Sequence, residues 1–60
     1  MELYTMSELQ TQLHIGKNTA YKLVKMKGFP SIQIGKKILV PKEGLDKWLR
    51  ENMGSHIYLP

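Results

Sequence analysis

Two hydrophobic periods succeed one another along this chain. Between Tyr4 and Leu13, the apolar residues Met6, Leu9 and Leu13 recur at three- and four-residue intervals. That is the spacing of one helical face. Thr5 stands three residues before Glu8, the pattern of a reciprocal capping box, and Tyr4 and Leu9 occupy the flanking staple positions. Ser7 with Gln10 is a competing cap, so two starts remain open. The stretch His14–Asn18 interrupts the stripe after about two turns. A second helix is expected from Lys17 to Lys27, with Gly16 as N-cap and Ala20, Leu23 and Val24 on its inner side. Gly28 offers a left-handed stop, Phe29 is placed to fold back over the last turn, and Pro30 prevents resumption.

From Ile32 the period falls to two. Ile32-Gln33-Ile34 and Ile38-Leu39-Val40 bracket Gly35-Lys36-Lys37 and read as a hairpin. If both isoleucines share a buried face with Ile38 and Val40, residues 34 and 38 must pair, as must 32 and 40. That parity requires a three-residue loop, Gly35-Lys36-Lys37, and turns Leu39 outward. A shifted register that buries Leu39 is the alternative. Pro41 then opens a last helix with Glu43 in its first turn, Arg50 in its last, and Leu45, Trp48 and Leu49 as its apolar face. Glu43–Lys47 and Asp46–Arg50 are spaced as favourable pairs, whereas Gly44 weakens the helix. Residues 1–53 are expected to form the domain and residues 54–60 a tail carrying the apolar Ile57, Tyr58 and Leu59.

Composition narrows the class. Sixty residues without cysteine allow one small domain with no disulfide or thiolate site. Neither a membrane span nor a signal peptide is expected. The net charge of +4 is unevenly distributed: no acid lies between Glu8 and Glu43, while Lys17, Lys22, Lys25, Lys27, Lys36, Lys37 and Lys42 all do. A continuous cationic segment points to a polyanionic partner. Enzyme chemistry is not expected, because the sequence has no nucleophile–base pattern, phosphate loop or paired carboxylates. Nor does it hold a ligand spacing around His14 and His56 that would mark a metal or other cofactor site.

Two short helices joined tightly, the second carrying Asn and Lys on its outer side, form a helix-turn-helix. A helix fits the major groove of double-stranded DNA, where lysines meet phosphates and an asparagine amide can pair with adenine. The candidate contacts are Lys17, Asn18, Thr19, Tyr21, Lys22 and Lys25. Asn18 is also open to a purely local role at the helix start, and Tyr21 to one at the edge of the core.

The ordered series Ile15-Gly16-Lys17-Asn18-Thr19-Ala20-Tyr21, Gly28-Phe29-Pro30, Ile34-Gly35-Lys36-Lys37, Val40-Pro41 and Leu45…Trp48-Leu49 resembles the MerR-like winged helix-turn-helix domain of the excisionase family. That family also takes in AlpA-type prophage regulators. The resemblance runs from about Tyr4 to Leu49. It implies a small α+β fold ordered helix, helix, hairpin, helix, with the second helix reading DNA and the hairpin acting as a wing through Lys36 and Lys37. It further implies a cytoplasmic, nucleoid-associated bacterial protein that acts as an excisionase or transcriptional regulator. Its expected partners are DNA, other protomers on repeated sites, and an integrase. Gly16 stands where that family often has Ser, and Leu39 where it often has a polar or basic residue. The rival reading is a protein-interaction module that binds an integrase or repressor.

Overall fold

The computed structural model describes residues 2–59; the outermost positions of the expected domain and tail, Met1 and Pro60, lie outside them. Six elements follow in order: β1 (Leu3–Thr5), α1 (Met6–Leu13), α2 (Lys17–Val24), β2 (Ile32–Ile34), β3 (Lys37–Pro41) and α3 (Lys42–Glu51). The strands form an antiparallel sheet in the order β1-β3-β2. The class is α+β and the arrangement is that of a small winged helix-turn-helix domain.

Local chemistry sets the ends of the helices. Thr5 Oγ1 accepts from the Glu8 backbone N–H at 3.2 Å, and the Thr5 N–H donates to Glu8 Oε1 at 2.9 Å, completing the capping box. These bonds, from the Thr5 backbone first and its side chain second, hold the Glu8 carboxyl below its ordinary value. At the other end of α1, His14 takes φ 55°. The Ile15 N–H reaches Gln10 O at 3.1 Å and the His14 N–H reaches Thr11 O at 3.4 Å, a Schellman closure with histidine where glycine is usual. The turn then releases α2 at Gly16, whose carbonyl accepts from the Ala20 N–H at 3.0 Å.

Leu9, Ala20, Leu23, Val24, Phe29, Val40 and Leu45 are buried together, and Tyr4, Met6, Leu13, Ile15, Met26, Ile38, Trp48 and Ile57 pack around them. Each described element except β2 contributes to this cluster. Phe29 meets Trp48 edge-on, with ring centroids 4.9 Å apart, so the segment after α2 is clamped to α3.

Four local expectations need correction. First, Leu3–Thr5 is a strand that pairs with β3 before α1 begins, with Tyr4 opposite Val40. Second, α2 ends at Val24 rather than Lys27. Gly28, at φ 90°, instead serves a turn closed by the Phe29 N–H on Met26 O at 3.2 Å. A positive φ at the third position is what a type II turn requires.

Third, the hairpin loop has two residues. The register is Ile34 with Lys37, Gln33 with Ile38 and Ile32 with Leu39. Gly35 alone in the loop has a positive φ, 60°, which fits a type II′ turn whose twist matches the strands. That parity sends Ile32 and Ile34 to the face opposite Ile38 and Val40. Fourth, Leu49 is 38% exposed, so Leu45 and Trp48 carry the packing of α3. Gly44 also acquires a structural reason: a Cβ there would lie 2.9 Å from Pro30 Cβ.

Candidate nucleic-acid interface

Residues advance about 100° around a helix at each step. In α2 this puts Ala20, Leu23 and Val24 in the core, while Lys17, Asn18, Tyr21, Lys22 and Lys25 are exposed. Asn18, Lys22 and Lys25 cluster near the middle of that outer side, with Lys17 and Tyr21 along one edge. Tyr21 is 37% exposed, at the edge where the helix spacing brings the outer side round to the core. Lys25 caps the C-terminus of α2, where its charge complements the helix dipole.

Thr19 differs from the other candidates. It is half-buried and lines an apolar groove of ≈ 230 Å³ with Leu13, Ile15, Leu23, Trp48, Ile57 and Leu59. The groove lies on the flank of α2, so Thr19 faces sideways rather than out with Asn18 and Lys22. Its four-residue spacing from Leu23 was the available sequence signal. The tail participates here as well. After Gly54 it has no regular secondary structure, and Ile57 packs on the core while His56 and Tyr58 stack outside, 4.3 Å apart.

In the wing, Lys36 occupies the second loop position and Lys37 begins β3, both exposed. Gln33 Nε2 donates to Gly35 O at 3.0 Å and braces the turn between them. Among the described residues, no carboxylate forms an ion pair with these cations. The ion pair among the described residues joins Lys42 Nζ to Glu2 Oε1 at 3.3 Å, where the bond to Glu2 raises the lysine pKa. Lys17, Lys22, Lys25, Lys36 and Lys37 therefore present uncompensated charge. The described residues hold no cluster of metal-ligating side chains, and no helix among them is long and apolar enough to cross a membrane.

The search of curated proteins finds no match, and neither does the search of solved structures. The family comparison is positive: residues 3–53 match the model described as a helix-turn-helix domain. This span contains both helices of the motif, the wing and α3. The chain accordingly belongs to that helix-turn-helix domain family, a family of DNA-binding domains that includes excisionase-like proteins.

Proposed function

We propose that the protein binds a specific duplex by inserting α2 into the major groove and laying the wing along the adjacent backbone. The observation that carries this is the single exposed side of α2, where Asn18, Lys22 and Lys25 stand directly opposite buried Ala20, Leu23 and Val24 with no acid in between. Asn18, in the first turn, is the base-reading residue, because its amide can bond adenine N6 and N7 together. Lys17, Lys22, Lys25, Lys36 and Lys37 hold phosphates. A lysine is a mobile point charge suited to that role rather than to bidentate base readout. Tyr21 packs at the sugar edge, and Thr19 supports Asn18 from the flank.

A single module of this size covers only about 600–1,000 Å². Several protomers on repeated sites are therefore part of the proposal. The biological setting is that of a mobile-element or phage protein, acting as an excisionase or a regulator, with an integrase as a further partner.

Fluorescence anisotropy across a salt series tests the reading. Contact with about five phosphates gives a log–log slope near −4.5. Removing both wing lysines, Lys36→Ala with Lys37→Ala, weakens specific and random duplexes by similar factors and shrinks the slope by about two. Asn18→Ala costs about 1–3 kcal/mol on the specific site alone. A flat salt response, or no binding at low salt, would end the proposal.

A further inference from the structure

The wing's outer face is unusual for a sheet with its other side on the core. Such faces are normally polar. Here the register aligns Ile34 with Lys37 and Ile32 with Leu39 on that face, opposite Ile38 and Val40. Ile34 is 63% exposed and Ile32 is 42% exposed; all three residues of β2 are exposed. The hairpin itself does not need isoleucine there, because threonine offers the same β-branched preference for a strand. The side chains thus leave an apolar ridge in solvent, beside the two wing lysines.

We propose that this ridge, led by Ile34, packs against the deoxyribose edge of duplex DNA while Lys36 and Lys37 hold the flanking phosphates; it rests on the DNA binding proposed above. Charge complementarity selects the occupant. A second copy docked through the same face would bring its own Lys36 and Lys37 against these, and the strands that form the face carry no acid to receive them. A DNA strand offers the matching arrangement, with apolar C–H surface on each sugar between consecutive anionic phosphates. The ridge adds affinity without reading sequence, since every nucleotide carries the same sugar. It also gives Ile34 a role distinct from that of the lysines, which act through charge.

Ile34→Thr tests this, because it keeps the branched strand residue and removes the apolar reach. Affinity should fall roughly four- to fifteenfold, the scale of one to two methylene groups no longer buried. The loss should be equal on specific and random duplexes, and the salt slope should stay unchanged. Ile34→Val should bind almost as the wild type does, and the melting temperature of both variants should match it. If Ile34→Thr binds as tightly as the wild type, or changes the salt slope, the ridge has no such role. A wild type that sediments as a dimer, with Ile34→Thr a monomer, would make the face a self-association surface and overturn the inference. A wild type that binds no duplex at all would instead remove the DNA-binding reading itself.

Discussion

The second helix and the wing both present lysines, yet the chain holds them in different ways. α2 buries Ala20, Leu23 and Val24, so its orientation is set by the packing of that one side on the small core. β2 buries none of its residues. Its position comes from backbone pairing with β3, whose Ile38 and Val40 do the packing. Packing fixes rotation about an axis to within a rotamer, whereas an edge strand held along one side only can bend and twist. The difference suits the division of labour proposed here. A base-reading asparagine must be aimed, while a backbone contact need only be near.

The largest test of that contrast compares the two faces of the hairpin. Val40 has no exposed surface, and Ile32 on the partner strand faces out. Val40→Ala should cost on the order of 2 kcal/mol through lost burial and the cavity left behind. A chain of this size has only roughly 3–9 kcal/mol of stability in total, so this is a large share. Ile32→Ala removes more atoms but should cost less than about 1 kcal/mol. Thermal melts of the two variants decide the matter. Equal losses would mean that the outer face is packed after all, and the contrast would collapse.

The same contrast marks where the sequence was legible. The buried sides of α1 and α2, the Thr5–Glu8 box and the fold class were readable, because helical periodicity and capping are local and redundant. Three residues of β1 carry too little alternation to announce a strand, and its partner β3 lies far along the chain. The hairpin register failed for a different reason. Counting isoleucines as core residues outweighed the turn chemistry of Gly35, although a two-residue loop beginning with glycine was the more direct signal. Among the candidate contacts, Asn18, Lys22 and Lys25 share the exposed side that spacing gave them. Thr19 does not, because the tail and Trp48 build a groove beside it that no local pattern contains.

A second test bears on the root of the wing. Replacing Gly44 by Ala should strengthen α3 by up to about 1 kcal/mol on intrinsic preference. The new Cβ, however, would sit 2.9 Å from Pro30 Cβ, and a proline ring at the start of the hairpin segment has little freedom to move. Overpacking of this kind costs about 1–3 kcal/mol, so the steric effect should win and the protein should lose stability. The strain enters at Pro30. Amide exchange should therefore quicken in β2 and β3 more than in α2. A stabilised variant would show that α3 and the wing are only loosely joined.

The smallest effect concerns the opposite glycine. Gly16 N-caps α2 without any side-chain bond, its φ of −78° is ordinary for any residue, and a Cβ there meets nothing within 4 Å. Gly16→Ser should therefore add a hydroxyl acceptor for the first-turn amides and restrict the unfolded chain. Together these should contribute about 0.5–1 kcal/mol. The gain should slow exchange at the start of α2 and leave the wing unchanged, which widens the difference between the two regions. Acid separates this cap from the one on α1. The Glu8 carboxyl has its pKa lowered by the fold, so its contribution is present above the ordinary carboxylate value and is lost as pH falls through the folded one. A serine cap carries no charge and should keep its effect through that range. Melting wild type and Gly16→Ser side by side, from neutral pH downward, should give two falling curves with a constant gap. A gap that closed in acid would mean that the serine acts through Glu8 and α1 rather than on α2.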